Sequence, residues 1–484
     1  NINCKNLPSL RRNIVYQFLY ELLIVFIPLF TIPYVSRVLG AENIGLFSYT
    51  YAVANYFVLF ANLGIKNYGS RTIAMVRNNK EELNRNFSEI LSIHIIFSII
   101  VIFVYLVLLF FFVEDNLVIF LIQSIYVFAA VFDINWFFFG IEKFKLTVGR
   151  NTLVKILSVF LVLVFVKTQT DLWIYALILA LSVFVGQSVV WFALKQYVSW
   201  RRPSWANMKQ HIRPLFVLFL PILALSLYKY MDKIMLGSIS SNVQVGFYEN
   251  AEKIINVPMS LIMAFGVVLM PRIANMVTSK DKGEVFKLID MSMEAVMLLA
   301  IAISFGLAGI SFVLAPIFFG YEFEECGILI MGLAVTVPFM AFANVIRTQY
   351  LIPYKEDKIF VVSLFLGAAV NLIVNIILIP YMAARGAVIG TIFAEIIVCI
   401  YQSYFVRKKI FIKKYLLNTI PPILIGIVMF VFVFQIGNVM NINIVTLILQ
   451  LLVGMFIYAV GVFLLMLKSR TRLMVLLRKF VVRY

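Results

Sequence analysis

The chain has 484 residues, 63% of them hydrophobic and 13% charged, with a formal net charge of +18 and a mean hydropathy of +0.99. A soluble globular domain is nearer half apolar and a quarter charged, so composition excludes that class and predicts a polytopic membrane protein. The basic excess raises nucleic acid as a partner, and the distribution of that charge along the chain excludes it.

A membrane-spanning helix needs about 20 apolar residues. Fourteen runs meet that length: 14–39, 44–66, 87–113, 117–139, 147–167, 172–198, 213–238, 248–278, 287–315, 325–351, 360–379, 385–406, 417–436 and 443–467. With the N-terminus placed in the cytosol and the loops alternating from there, 33 of the 41 Lys and Arg fall on cytosolic segments. The opposite loops hold only Lys167 and Arg385, beside acids such as Glu114, Asp115, Asp171 and Glu322. That is the positive-inside pattern, and it predicts both termini in the cytosol. The basic excess is therefore read as topology and attraction to anionic membrane lipids, with no nucleic acid among the partners.

The longest connections, near 67–86, 199–212 and 407–416, are read as cytosolic loops too short to fold as domains. No extramembrane catalytic module is expected, so the chain is read as a non-enzyme. His94, His211, Cys4, Cys326 and Cys399 show no ligand spacing, so no metal site or disulfide framework is expected.

An internal repeat runs through the chain. VLGAENIGLFSYTYAVANYF at 38–57 is answered by MLGSISSNVQVGFYENAEKI at 235–254. Gly45 precedes Arg71, and Gly246 precedes Arg272, by the same interval; Leu39-Gly40 matches Leu236-Gly237 after a four-residue insertion. Six spans separate the copies, so they share orientation, as in transporters built from parallel repeats. An all-α membrane fold is expected, with an N-terminal six-helix bundle over 1–212 and a second over 213–410. Helices 13–14 and a basic tail fill 411–484, and a cavity is expected between the two bundles.

The stretch IPLFTIPYVSRVLGAENIGLFSYTYAVANYF, the segment FDINWFFFGIEKFK and the later LGAAVNLIVNIILIP resemble the polysaccharide-export flippases of O-antigen and capsule repeat units. These belong to the multidrug/oligosaccharidyl-lipid/polysaccharide exporter superfamily. The resemblance implies transport, by alternating access, of undecaprenyl-pyrophosphate-linked oligosaccharide from the cytosolic to the outer face of a bacterial plasma membrane. It also implies a polysaccharide polymerase and other export components as partners, and a groove for the lipid tail formed by helices 13 and 14. No cofactor is expected beyond coupling to a proton or sodium gradient or to the membrane potential. A cation-coupled drug antiporter of the same superfamily and a lipid II-type flippase remain open. A glycosyltransferase or polymerase would carry a large external loop that this sequence lacks.

Charges in a bilayer core cost at least ~2.5–3.5 kcal/mol each, so they face a partner or a wet cavity. LSLYKYMDKIMLG at 225–237 holds Lys229, Asp232 and Lys233. The two lysines are four apart and share a helix face. They are candidates for the pyrophosphate, or else members of a balanced ion network with Asp232, Glu249, Glu252 and Lys253. Tyr228 and Tyr230 could face sugars. Arg37 and Arg347 are further candidate cations, Arg347 being read as one without an acid in its own hairpin. Asp133 and Lys155 are expected to pair with each other. Glu21, Glu294 and Glu395 are lone acids, read as buried neutral carboxyls or as coupling sites. Pro28, Pro33 and Pro221 interrupt the first helix of each half and are candidate gates.

Overall fold

The computed structural model describes the backbone of residues 10–278 and 282–468, with side chains mostly from Phe30 onward. Glu21, Pro28 and the side chain of Tyr228 lie outside the described residues. Among the described residues there is no strand. Hydrocarbon offers the backbone no hydrogen-bond partner, and a helix satisfies its N–H and C=O groups within one segment.

Each of the fourteen predicted runs coincides with helix. Among the described residues, twelve stretches are long and apolar enough to cross a membrane. One of them, Phe30–Val76, holds parts of the first two runs, and the fifth run, a helix over Phe144–Phe165, stands outside the twelve. The described residues form two compact units, divided between Ile234 and Met235.

The first unit contains α1 (Leu10–Asn62), α2 (Ile65–Val76), α3 (Lys80–Phe112), α4 (Leu117–Val131), α5 (Asn135–Gly140), α6 (Phe144–Phe165) and α7 (Leu172–Leu194). It also holds most of α8 (Trp205–Ile239). Within α1, Gly40 has φ 77° and ψ 172°, a conformation essentially reserved for glycine, and there one predicted span passes to the next. Its repeat counterpart Gly237 lies inside α8, and the second half turns at Ser240–Ser241 instead. The four inserted residues supply the turn that Gly40 makes alone.

The basic loop expected near 67–86 is largely α2. Its Ile65, Gly69, Thr72 and Ile73 are buried, while Lys66 and Arg71 are exposed. The short α5 lies against it, and a Cβ on Gly69 would meet the Trp136 ring at 2.5 Å. Trp136, Phe137 and Phe138 are buried with Phe87, Ile90, Leu194 and Leu215 in one apolar core joining α2, α3, α5, α7 and α8. The NWFFFG stretch therefore closes one end of this unit.

At the rim of that core a buried polar chain fixes the start of α8. His211 Nε2 lies 2.9 Å from Glu89 Oε2, and Nδ1 lies 2.6 Å from the Tyr68 hydroxyl. The His211 and Glu89 side chains are 3% and 1% exposed. With Nε2–H donating to the carboxylate, Nδ1 is the acceptor for the tyrosine proton, so neutral histidine satisfies both neighbours.

The second unit contains α9 (Asn242–Thr278), α10 (Lys282–Phe319), α11 (Cys326–Ala334), α12 (Thr336–Ile346), α13 (Asp357–Met382), α14 (Ala384–Val406), α15 (Ile412–Val439) and α16 (Ile444–Lys468). α12 continues into a π-helical turn, Arg347–Leu351. α13 and α14 pair closely, and α10 packs against α11, α12, α15 and α16.

Replacing His211 with Leu leaves the buried Glu89 carboxylate without its donor, a loss of about 1–3 kcal/mol. The melting temperature in detergent is expected to fall, and Tyr68→Phe to lower it less. A His211→Leu protein as stable as wild type would show that this chain does not seat α8.

Candidate functional site

In the first unit, the helix expected over 117–139 breaks at Phe132–Ile134, and the break decides where Asp133 goes. Freed from helical pairing, the Asn135 backbone N–H reaches Asp133 Oδ1 at 3.1 Å, and the Asn135 amide donates to the same oxygen at 2.7 Å. That amide also donates to Gln187 Oε1 at 2.8 Å, while Arg150 Nη2 donates to Asn135 Oδ1 at 3.2 Å. Asp133 therefore holds the first residue of α5 and anchors a polar node across α5, α6 and α7. The expected Asp133–Lys155 pair is absent among the described residues. Near the node His94 is fully buried, with neither ring nitrogen hydrogen-bonded among the described residues.

On α8 the two lysines of LSLYKYMDKIMLG part company. Lys229 is exposed, its ammonium 5.3 Å from the Tyr230 ring, whereas Asp232 and Lys233 are 4% and 7% exposed. Tyr56 of α1 packs edge-on against Tyr230 and donates to Ser226 O at 3.4 Å. It also lies within electrostatic reach of Asp232. On α9, Lys253 pairs with Glu249 at 3.1 Å, one turn away, beside a partly buried Glu252. Part of the expected ion network is thus local to one helix.

Arg347 opens the π-helical turn. Its Nη2 donates to Asn344 Oδ1 at 2.6 Å, and its guanidinium lies 5.3 Å from the Phe360 ring. Glu395 of α14, 5% exposed, lies within its electrostatic reach. The acid within reach of Arg347 comes from α14, outside its own hairpin, so no nearby sequence position showed it. π turns gather at functional positions, and this one places an arginine, two amides and an acid inside one bundle.

The second unit holds an open groove of about 960 Å³ between α10, α15 and α16. Leu299, Ala302, Gly306, Met429, Met455 and Phe463 represent its apolar lining. Two buried polar contacts hold its walls. Gln450 Nε2 donates to Val433 O at 2.8 Å, tying α16 to α15, and Tyr458 donates to Leu298 O at 2.7 Å, tying α16 to α10. Glycine lets the helices approach, since a Cβ on Gly309 would meet Val433 Cγ1 at 2.9 Å. A smaller pocket of about 100 Å³, lined by Glu294, Tyr415, Asn418 and Thr419, shares Leu298 with the groove. At this end Asp290 accepts from Lys414 Nζ at 2.8 Å and from Tyr415 at 2.5 Å.

The remaining predicted positions are scattered. Arg37 is exposed on α1; Pro33 and Pro221 are partly buried, and helix continues through both. Arg71 and Arg272 are exposed, as suits headgroup contact. Sequence reading missed the Glu89–His211 pair, whose members stand 122 residues apart. No local spacing could signal it. Among the described residues, no cluster of His, Cys, Asp or Glu is placed to hold a metal.

Residues 10–277 match a family described as "Polysaccharide biosynthesis protein". The chain is 24% identical over 408 residues to a Shigella dysenteriae protein named "Putative O-antigen transporter", covering 81% of this chain and 99% of that one. A solved lipid II flippase MurJ, in an inward closed conformation, superposes with a TM-score of 0.72 at 15% identity, covering 94% of this chain and 98% of that one. An inward-facing multidrug transporter of the MATE family and MOP superfamily gives a TM-score of 0.62 at 14% identity, covering 81% and 97%. At these identities the two structures establish a shared fold.

Asp290→Ala removes two contacts between α10 and the start of α15, roughly 0.5–1.5 kcal/mol each. Amide hydrogen exchange over residues 412–420 is expected to accelerate, with α10 itself little changed. Unaltered exchange there would mean that apolar packing alone holds this end of the groove.

Proposed function

The chain belongs to the polysaccharide biosynthesis protein family, whose profile matches more than half of it, and on that basis we propose a flippase for lipid-linked oligosaccharides. The cargo in this reading is an undecaprenyl-pyrophosphate-linked repeat unit, moved by alternating access from the cytosolic to the outer face of a bacterial plasma membrane. Both termini lie in the cytosol, as the distribution of Lys and Arg supports. The product would feed a polymerase and export components that assemble an O-antigen or capsule type of polysaccharide.

The groove of α10, α15 and α16 is the observation that carries this reading. A polyprenyl tail is a long apolar chain, and the groove is long, apolar and in a membrane-embedded unit. Its contribution is one of fit. Moving a tail from bilayer hydrocarbon into an apolar groove gains no hydrophobic free energy, because lipid tails are as apolar as leucine. Selection must then come from the polar end of the ligand. A diphosphate needs cations, and the partly buried Arg347 is one that this chain keeps inside its membrane helices at a cost.

The experiment is translocation in proteoliposomes of a fluorescent oligosaccharide on undecaprenyl diphosphate, scored by loss of accessibility to an added quencher. Wild type is expected to move this lipid and leave a labelled phosphatidylcholine in place. Ala302→Trp, which fills the groove, is expected to slow transfer about tenfold, equivalent to about 1.4 kcal/mol of barrier. Transfer no faster than in protein-free liposomes would overturn the proposal.

A further inference from the structure

The connection between α7 and α8 is basic throughout. Residues 195–213 carry Lys195, Arg201, Arg202, Lys209 and Arg213, all exposed, and no acid. The stretch joins two candidate membrane spans, Gln169–Leu194 and Trp205–Leu227, so it lies at one membrane surface. Trp200 and Trp205 are 54% and 60% exposed on either side of the two arginines, and Phe192, on the last turn of α7, is exposed beside them in sequence. An indole is an apolar body with one N–H donor, and it settles where hydrocarbon gives way to headgroups.

This stretch is held in shape. Val198 and Met208 flank it and are buried in the apolar core of the first unit. Between them the Ser199 N–H donates to Asn84 Oδ1 at 3.0 Å, and the Arg201 N–H donates to Ser88 Oγ at 2.9 Å. Both acceptors are buried on α3. Arg201 Nη2 also donates to Glu81 Oε1, on the first turn of α3, at 3.2 Å. That ion pair is exposed, and exposed pairs are weak, so Glu81 orients the guanidinium without using up its five donors. The pinned backbone presents Trp200, Arg201, Arg202 and Trp205 as one fixed group.

We propose that residues 200–205 form a headgroup site for an anionic phospholipid such as phosphatidylglycerol. Arg201 and Arg202 meet the phosphodiester, and the indoles of Trp200 and Trp205 lie along the glycerol and the upper acyl chains. A guanidinium fork matches phosphate oxygens two at a time. A zwitterionic lipid brings its own cation to that phosphate, so the site selects by net charge. General attraction of a basic loop to an anionic surface needs no particular shape; this site needs both arginines and the α3 acceptors behind them. Ser88 and Glu89 are neighbours on α3, so the wall that shapes the site also seats His211 of α8, and an occupied site steadies the start of that helix. The inference is independent of the flippase reading.

The test titrates the purified protein in detergent with dibrominated phosphatidylglycerol or dibrominated phosphatidylcholine and reads the quenching of tryptophan emission. Wild type is expected to bind the anionic lipid roughly fivefold more tightly or better, about what one basic residue gains at an anionic surface. The quenching is expected to vanish in the Trp200→Phe, Trp205→Phe double variant. Arg201→Gln with Arg202→Gln is expected to bring the preference near unity. Arg407→Gln with Lys408→Gln, which removes the same charge from another exposed basic segment, is expected to keep it. Ser88→Ala leaves every charge in place and is expected to lower the preference roughly twofold or more through the lost backbone contact. Equal affinity of wild type for the two lipids would overturn the proposal. So would equal losses in the two charge variants, which would mark a general field, or a preference untouched by Ser88→Ala. Displacement by inorganic pyrophosphate, or tighter capture of undecaprenyl diphosphate than of phosphatidylglycerol, would give the patch to a different phosphate and overturn the phospholipid assignment.

Discussion

Inside a bilayer each backbone amide must find its partner within the protein, and each charge must find a countercharge or water. That constraint orders what is observed here. It makes every span a helix, forbids irregular chain where lipid would touch it, and turns the few internal charges into the most informative residues of the sequence. The breaks that do occur are correspondingly well supported. Gly40 takes a backbone conformation open to glycine, the break at Phe132–Ile134 is bridged by Asp133 accepting from Asn135, and the π turn at Arg347 is walled by buried side chains.

The same constraint explains what the sequence disclosed and what it hid. Apolar run length revealed all fourteen helical stretches, because a lipid-facing helix needs continuous hydrophobicity. It passed over α2, where only Ile65, Gly69, Thr72 and Ile73 face inward and the interleaved Lys66 and Arg71 read as a basic loop. Helical spacing placed Lys229 and Lys233 on one face, yet a turn of helix separates an exposed lysine from one that is 7% exposed. Depth matching predicted a pair between Asp133 and Lys155. The chain break before Asn135 redirected the carboxylate, and no propensity rule locates such a break in an apolar run. Long-range partners such as Glu89 and His211, or Arg347 and Glu395, leave no trace in spacing at all.

Two kinds of surface emerge with different roles. The groove of α10, α15 and α16 is apolar and shaped by glycines at its helix crossings, so it accommodates a chain without discriminating strongly among chains. The cations inside the helices sit among polar neighbours instead: Arg347 is held by Asn344, and Lys253 pairs with Glu249. Such a division suits the carrier proposed above, whose cargo would be a bilayer lipid at one end and a diphosphate-linked sugar at the other. With a lipid II flippase and a multidrug transporter the chain shares its fold.

The most direct measurement is photo-crosslinking in liposomes with a polyprenyl diphosphate bearing a diazirine on its tail, followed by peptide mapping. The account predicts adducts concentrated on groove residues such as Leu299, Ala302, Met455 and Phe463, and competed away by unlabelled polyprenyl diphosphate. Adducts spread over lipid-facing positions such as Phe110, Phe111 and Phe160, with no enrichment in the groove and no competition, would contradict it.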